Sequence, residues 1–397
     1  MSGKNPFLGL GFGSPFITFA RASSSASGAS SDPKIVVSAP FDNNNLTSSG
    51  SVYIYNLDGT GEVKLTPSDA AAGDRFGDSV AIAHNKIVVG SSLDDDDGTS
   101  SGSVYIYNLD GTGEVKLTAS DAAAGDNFGK SVAIGNNKIV VGARTRDVGT
   151  LENAGSVYVY DLDGTNEVKI TASDAASADY FGASVAIAHN KIVVGAYLDD
   201  AGNNNNLTNS GSAYVYNLDG TGEVKLTASD ANLNDVLGIS VAIGSNKIVT
   251  GSTGDDDDGT NSGSVYVYDL DGTNELKITA SDGASADSFG YNVAVGHDKI
   301  VVGSLYDDDD GTNSGSVYVY DLDGTNELKI TASDGAADAR FGVSVAIAHN
   351  KIVVGAAYRN TQTGDVYVYN LDGTGETKIT ASDAASGDYF GWDVAIG

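Results

Sequence analysis

Residues 76–129 read FGDSVAIAHNKIVVGSSLDDDDGTSSGSVYIYNLDGTGEVKLTASDAAAGDNFG, so the segment ends on the dipeptide with which it begins. Between the two dipeptides lie four short runs rich in Val, Ile, Tyr and Thr, each bounded by turn-forming residues. Such runs are typical of β-strands. The pattern predicts strands at Ser79–Ala83, Lys86–Gly90, Ser103–Tyr107 and Glu114–Thr118, with no competing helix.

The same unit recurs along almost the whole chain, and its period indicates the architecture. The Phe-Gly dipeptide, replaced once by Leu-Gly, returns every 49 to 56 residues. Its seven occurrences begin at Phe76, Phe128, Phe181, Leu237, Phe289, Phe341 and Phe390. Four strands in roughly 50 residues are the content of one β-propeller blade.

The two ends of the repeat region complement each other. The first copy has counterparts of strands two to four, at Lys34–Ser38, Ser51–Tyr55 and Glu62–Thr66, but no opening strand. The last residues, Phe390–Gly397, are an opening strand with nothing after it. Pairing them completes seven blades and leaves no open seam. We therefore predict an all-β fold: a seven-bladed β-propeller of four-stranded antiparallel blades over residues 34–397, closed in one blade by the N- and C-terminal strands.

Composition excludes several classes of function. The chain of 397 residues has 22 basic and 53 acidic side chains, a formal net charge of −31, and no cysteine. Disulfides, zinc-thiolate sites and iron–sulfur sites are therefore excluded, and an anionic surface is a poor partner for nucleic acid. The four histidines lie in predicted hairpin turns, and the Gly-rich tracts have no following helix that would make a phosphate-binding loop. We expect a protein that is not an enzyme.

Acidic runs occupy one face of the predicted ring. In a four-stranded blade the loop after the second strand and the connection between blades open on the same face, which we call the loop face. Three of these loops contain Asp-Asp-Asp-Asp-Gly-Thr. Carboxylates suit hard cations such as Ca²⁺, but charge runs are commonly solvated, so calcium binding and a solvated loop are alternatives. The aspartates concerned are Asp94, Asp95, Asp96, Asp97, Asp255, Asp256, Asp257, Asp258, Asp307, Asp308, Asp309 and Asp310.

A second acidic motif, Asp-Leu-Asp-Gly-Thr-Asn-Glu, recurs at Asp161–Glu167, Asp269–Glu275 and Asp321–Glu327. Its Asp-Gly pair is a hairpin signal that recurs in all seven blades. A turn therefore explains the motif better than a metal site.

Aromatic and arginine residues of the loop face are the candidates for a binding surface. Aromatic rings can stack on sugars or anchor a protein partner, and the arginines lie in the loops that lack aspartate runs. The residue that follows Phe-Gly differs widely in type among the repeats, and in the last copy it is the single tryptophan. That tryptophan either faces a partner or packs the closure of the ring. The candidates are Tyr197, Tyr306, Tyr358, Trp392, Arg144, Arg146 and Arg359.

The Phe-Gly dipeptide followed by KIVVGA at Lys191–Ala196, or Ile35–Pro40 in the first blade, resembles the FG-GAP repeat. The resemblance covers residues 34–397. That family is similar to the N-terminal β-propeller of integrin α subunits and to many bacterial and viral surface proteins, so the resemblance implies an adhesion or interaction platform. The family's calcium loop, Asp-x-Asp-x-Asp-Gly between FG and GAP, is replaced here by a tight Ala-His-Asn-Lys turn, and that metal site is not carried over.

Residues 1–33 stand apart from the repeats. Their apolar part contains four phenylalanines, Phe7, Phe12, Phe16 and Phe19, and a Ser/Ala/Gly stretch follows at residues 22–31. This composition predicts an apolar docking peptide on a flexible tether. Ala20-Arg21-Ala22 has the spacing of a signal-peptide cleavage site, which is the alternative, although glycines and Pro15 interrupt the apolar run. The run is also too short and interrupted to span a bilayer.

These features predict a structural or attachment protein that presents variable loops on a rigid ring. Residues 1–33 would dock the ring onto a larger protein assembly, plausibly a virion. The alternative is a calcium-dependent adhesin of a cell surface that binds a glycan or a protein receptor. Both predictions place the protein on a virion surface or outside the cell.

Overall fold

The computed structural model describes residues 32–44, 46–200 and 208–397. Within them, 28 strands form seven four-stranded sheets. The one element assigned as helix in these residues is α1, Arg359–Gln362, and positive φ values at Asn360 and Thr361 make it a left-handed turn. No helix of the described chain is long and apolar enough to cross a membrane. The predicted docking peptide and its tether at 1–31 lie outside the described residues.

Each sheet contains four consecutive strands, except that blade 1 combines β28 with β1, β2 and β3. Blades 2 to 7 are β4–β7, β8–β11, β12–β15, β16–β19, β20–β23 and β24–β27. The strands are β1 Lys34–Ala39, β2 Ser51–Asn56, β3 Val63–Leu65, β4 Ser79–Ala83, β5 Lys86–Ser91, β6 Ser103–Asn108, β7 Val115–Leu117, β8 Ser131–Gly135, β9 Lys138–Ala143, β10 Ser156–Asp161, β11 Val168–Ile170, β12 Ser184–Ala188, β13 Lys191–Ala196, β14 Ser212–Asn217, β15 Val224–Leu226, β16 Val241–Gly244, β17 Lys247–Ser252, β18 Ser264–Asp269, β19 Leu276–Ile278, β20 Phe289–Gly296, β21 Lys299–Ser304, β22 Ser316–Asp321, β23 Leu328–Ile330, β24 Ser344–Ala348, β25 Lys351–Ala356, β26 Asp365–Asn370, β27 Thr377–Ile379 and β28 Val394–Ile396.

The predicted closure of the ring is confirmed. Strand β28 pairs antiparallel with β1, with Val36 opposite Ala395 and Val37 opposite Val394. Beyond them, the N–H of Lys34 donates to the carbonyl of Gly397 at 2.9 Å. The first strands of successive blades contact one another in an unbroken circuit from β4 to β28 and back to β4. The fold is therefore a closed seven-bladed β-propeller.

Three of the four strands of blade 2 have bounds that differ from the prediction, and the second is Lys86–Ser91 rather than Lys86–Gly90. The fourth strand of blade 2 is Val115–Leu117 rather than Glu114–Thr118. Glu114 is instead used between blades, where its carboxylate accepts hydrogen bonds from the N–H of Ser68 at 3.1 Å and from the hydroxyl of Ser68 at 2.6 Å. The third strand extends to Asn108, whose N–H closes the following turn on the carbonyl of Thr112 at 2.8 Å.

In six of the seven blades the phenylalanine of the Phe-Gly dipeptide packs against two tyrosines of the third strand. Phe128 is fully buried and meets the rings of Tyr158 and Tyr160 edge-on, with centroid distances of 5.4 and 6.2 Å. The glycine of the KIVVGA strand lies against the next blade. In blade 3 a methyl group at Gly142 would lie 2.1 Å from the carbonyl oxygen of Gly182. Only glycine therefore allows the two backbones to approach this closely.

We expect Gly142→Ala to lower the free energy of unfolding by about 2–3 kcal/mol, because the added methyl overpacks a backbone contact between blades. The control is Gly125→Ala, where φ is +87° and nothing lies within 4 Å of the added methyl, so that only backbone strain is introduced. Denaturant unfolding followed by the fluorescence of the single tryptophan measures both losses. Equal losses in the two variants would contradict the packing argument.

Candidate functional site

The loops after the second strands and the connections between blades lie together, as predicted for the loop face. The N–H groups of Asn127 and Phe128, in the connection that enters blade 3, donate to the carbonyls of Ser100 and Ser101 in the β5–β6 loop at 3.1 and 2.9 Å. These bonds fix the loop of one blade to the start of the next. The loop face therefore offers a positioned surface rather than free loops.

A repeated polar cluster, which we call the rim seal, joins each blade to the connection that precedes it. In blade 2 the Tyr105 hydroxyl donates to Asp69 at 2.9 Å and to Asp94 at 3.0 Å. The ammonium of Lys116 donates to the same two carboxylates at 2.7 and 3.0 Å. Asp69 belongs to the connection and Asp94 to the blade's own loop, so the cluster ties the two together.

The seam between blade 7 and blade 1 carries the same rim seal. Tyr53 donates to Asp42 at 2.8 Å and to Asp383 at 2.9 Å, and Lys64 bridges the two carboxylates at 2.7 and 2.6 Å. The closing seam is therefore held like the interior ones.

The rim seal gives the acidic runs a structural role. In blade 5 the first aspartate, Asp255, is only 4% exposed, and the third, Asp257, lies 2.6 Å from the ammonium of Lys277. The second, Asp256, accepts the backbone N–H of Asn261 at 2.7 Å. In the described segments no group of three or more acidic or histidine side chains is arranged to hold a metal ion. Calcium binding by these runs stays a prediction.

Two of the candidate arginines belong to the rim seal. Arg146 and Arg359 take the place of the first aspartate in blades 3 and 7. Arg146 pairs with Asp126 at 2.5 Å and with Asp121 at 3.2 Å. Arg359 pairs in the same way with Asp334 at 2.8 Å. These guanidinium groups are committed to aspartates of the protein itself.

Burial changes the charge of the aspartates behind the rim seal. It raises the pKa of Asp235 to about 6, opposed by the N–H of Asn232 and reinforced by the nearby Asp255. Burial likewise raises the pKa of Asp287 to about 6 and that of Asp179 to about 7. These three carboxyl groups therefore take up protons at a higher pH than exposed aspartates do.

The second acidic motif forms hairpin turns, as its turn interpretation requires. Asp163 accepts hydrogen bonds from the N–H and the hydroxyl of Thr165 at 3.1 and 2.7 Å. Asp161 accepts from Lys138 and Asn166, each at 2.6 Å. The carboxylates of the motif are used to build the turn.

Inside the rim seals lies a second set of positions, which we call the mouth. It comprises the residues before and after each Phe-Gly dipeptide and the two residues before each rim-seal aspartate or arginine. In blades 1 to 7 these are Tyr389, Trp392, Pro40 and Phe41; Arg75, Asp78, Ser92 and Leu93; Asn127, Lys130, Arg144 and Thr145; Tyr180, Ala183, Tyr197 and Leu198; Val236, Ile239, Thr253 and Gly254; Ser288, Tyr291, Leu305 and Tyr306; Arg340, Val343, Ala357 and Tyr358.

Aromatic rings fill the mouth where blades 6, 7 and 1 meet. Trp392 is 4% exposed, and its ring centroid lies 5.5 Å from that of Phe41, 5.8 Å from Tyr389 and 6.3 Å from Tyr358. Tyr291 packs against the same cluster. The tryptophan thus packs the junction of the closing blade, while the half-buried tyrosines around it line the surface.

Arginines lie over these rings. The guanidinium carbon of Arg340 is 3.8 Å from the ring centroid of Tyr358 and 5.1 Å from that of Tyr306. The guanidinium carbon of Arg75 is 4.6 Å from the centroid of Phe41. These contacts are of the cation–π type, and those of Arg340 with Tyr306 and of Arg75 with Phe41 join neighbouring blades.

The opposite side of the mouth continues the pattern. Arg144 lies over the ring of Tyr180 at 5.9 Å, and Tyr180 stacks on Tyr197 with a centroid distance of 5.9 Å and an interplanar angle of 24°. Next to them Lys130 pairs with Asp78 at 3.2 Å, both side chains being buried. Burial lowers the pKa of Lys130 to about 8, opposed by Asp78.

The structure brings Tyr306, Tyr358 and Trp392 together with rings that sequence reasoning did not single out as candidates, notably Phe41 and Tyr389. The missed signal was the residue before Phe-Gly, which varies among the repeats as strongly as the residue after it. All seven residues at that position have φ between +51° and +57°. None is glycine, and such backbone strain is concentrated at functional sites in other proteins.

The fold and the loop face define a β-propeller that presents a shaped surface around its axis, a design that fits a non-enzymatic binding or structural role. Seven FG-GAP repeats match the chain, at residues 60–107, 112–160, 165–216, 221–268, 273–320, 325–369 and 374–397. The chain therefore belongs to the FG-GAP repeat family. A search among curated proteins finds no relative that matches it.

The first hairpin of blade 2 does not fit a calcium site of the Asp-x-Asp-x-Asp-Gly kind. In blade 2 this hairpin turns on His84 and Asn85, with φ of 52° and 59°, as a two-residue turn requires. It supplies no carboxylate.

Calcium binding by the acidic runs would require the ion to displace a lysine. We therefore expect the combined variant Lys116→Met, Lys277→Met, Lys329→Met to gain a larger calcium-induced rise in melting temperature than the wild type. The measurement is thermal unfolding of each protein with Ca²⁺, with Mg²⁺ and with chelator. If calcium shifts the melting temperature of neither protein, the runs do not bind calcium.

Proposed function

We propose that the protein is a non-enzymatic attachment protein. It binds a partner at the mouth of a rigid ring and joins a larger assembly, such as a virus particle, through residues 1–33. It acts on the virion surface or outside the cell.

The observation that carries this proposal is where the repeats differ. The tyrosine and lysine of the rim seal recur in every blade, as Tyr105 and Lys116 do in blade 2. By contrast, the residue after Phe-Gly in blades 1 to 7 is Trp, Asp, Lys, Ala, Ile, Tyr and Val. Because the rim seals are the same in all blades, they make the ring a rigid scaffold. Residues that differ from blade to blade around one opening allow the ring to recognise an asymmetric partner.

The sequence of residues 1–33 supports the attachment half of the proposal. Clustered phenylalanines followed by a Ser/Ala/Gly tether suit a peptide that docks into a pocket of another protein while the ring stays outside. A calcium-dependent cell-surface adhesin is the second candidate, favoured by the Ala20-Arg21-Ala22 spacing. Cleavage near Ala22 together with calcium-dependent binding to cells would support the adhesin.

Deleting residues 2–31 tests the attachment directly. We expect the shortened protein to melt like the full chain, because every rim seal lies outside the deletion, and to be lost from particles that the full chain enters. The measurement is sedimentation of particles from producing cells, with quantification of the protein in the pellet.

The matched control deletes residues 22–31 only, which removes the Ser/Ala/Gly stretch and keeps all four phenylalanines of the segment. This control is expected to remain in the pellet. Normal incorporation of the longer deletion would refute attachment through residues 1–33.

A further inference from the structure

We infer that the mouth binds a saccharide that carries isolated carboxylate or sulfate groups, with Arg75, Arg144 and Arg340 as the residues that hold the anionic groups. The inference rests on the proposed function and names the class of ligand that the mouth recognises.

The first argument is the state of the arginines. The described residues contain five, of which Arg146 and Arg359 form ion pairs. Among the residues that the structure describes, no carboxylate lies within 4.0 Å of Arg75, Arg144 or Arg340, and all three arginines lie in the mouth. In a chain with 53 acidic residues, three arginines that face aromatic rings around one opening form a local cluster of positive charge, which attracts an anion from outside.

The second argument is the donors that remain on these arginines. The Nε atoms of Arg144 and Arg340 are buried and have no hydrogen-bond partner. Stacking on an aromatic ring uses the face of a guanidinium and leaves its edge, which is the part that binds carboxylate or sulfate with paired hydrogen bonds. The Nε atoms are shielded from solvent, as are those of Arg146 and Arg359, so an anion would have to bind the terminal amino groups of the half-buried mouth arginines.

The third argument concerns the surfaces between the arginines. The half-buried rings of Tyr180, Tyr197, Tyr306 and Tyr358 are flat and apolar with a hydroxyl at one edge. A sugar ring has an apolar C–H face of similar size and hydroxyl groups at its rim, so it can stack on tyrosine and hydrogen-bond beside it. Alternating aromatic faces and single arginines therefore match a saccharide with spaced anionic groups.

The acidic runs around the mouth argue against an acidic peptide as its ligand. The acidic runs at Asp94–Asp97, Asp255–Asp258 and Asp307–Asp310 stand outside the mouth, and their second to fourth carboxylates are largely exposed. A peptide with many carboxylates would have to pass these acidic runs, whose negative charge would repel it. A saccharide with one anionic group for every few sugars is repelled less, and its sugar rings have apolar faces that can stack on the tyrosine rings of the mouth.

The test is a glycan array probed with the full chain, followed by calorimetric titration with 3′-sialyllactose and with lactose. We expect signals from sialylated, uronic-acid or sulfated glycans and none from their neutral counterparts. We expect Arg75→Gln, Arg144→Gln and Arg340→Gln each to weaken binding of the strongest acidic glycan by about tenfold, the usual scale for losing one charge-assisted contact. Raising the NaCl concentration should weaken it further.

The control is Lys247→Gln, which removes a cation that pairs with Asp269 at 2.6 Å beside the hairpins of the opposite face. Its binding should equal that of the wild type. Equal binding of neutral glycans, no binding of any acidic glycan, or preferential binding of a poly-glutamate peptide would each overturn the inference. If neutral glycans bind and Tyr306→Leu weakens that binding, the inference about an acidic saccharide is wrong but the proposed function stands. If the full chain enters no particle and binds no partner at the mouth, the inference and the proposed function are both wrong.

Discussion

The whole architecture depends on how closely the backbones of neighbouring blades approach. At Gly142 the carbonyl of Gly182 occupies the space that a side chain would need, and the equivalent contact recurs at Gly90, Gly195 and Gly251. The backbones of these blades therefore come into direct contact at the same position of each repeat. Six seams have this glycine contact and the seventh has Ser38, and the rim seals join the same blades on the loop face.

Blade 1, which contains both ends of the ring, meets blade 2 with different residues. Ser38 stands where the other blades have glycine, and Asp393 stands where most have serine. The N–H of Asp393 donates to the hydroxyl of Ser38 at 2.9 Å, and its carboxylate accepts the N–H of Val80 in blade 2 at 2.8 Å. Burial raises the pKa of Asp393 well above its usual range. The junction of the chain ends thus has its own hydrogen bonds, which mark blade 1 among near-identical repeats and favour the correct register.

The acidity of the chain has a structural explanation in the rim seals. A typical seal uses two aspartates for each lysine, so every blade added makes the chain more negative. In blade 6, Lys329 lies 2.8 Å from Asp282, 2.9 Å from Asp307 and 2.5 Å from Asp309. The mouth differs in that its arginines face aromatic rings instead of carboxylates. The loop face is therefore divided into an outer zone that stabilises the ring and an inner zone available for binding.

The fold could be predicted from sequence because its signals are repeated and local. The period of the Phe-Gly dipeptide set the number of blades, and Phe390–Gly397 supplied the strand missing before Lys34. The candidate site was predicted only in part. Arg146 and Arg359 look like loop residues in the sequence, yet they face Asp126 and Asp334 of preceding connections, a pairing that depends on how blades pack. The stacking of Arg340 on Tyr306 also joins residues of different blades, so neither repeat alone reveals it.

The most direct test of the account is a cysteine pair across the closing strands. Val37 and Val394 are opposite one another in a pair without mutual backbone hydrogen bonds, the arrangement in which antiparallel Cα atoms come closest, about 4.5 Å. In a chain without native cysteine, Val37→Cys with Val394→Cys should form a disulfide within the folded monomer on mild oxidation, seen as altered mobility on a non-reducing gel. Val37→Cys with Ala395→Cys, whose side chains point to opposite faces of the sheet, should not. A bond in the second pair and none in the first would contradict the closure on which the mouth and its function depend.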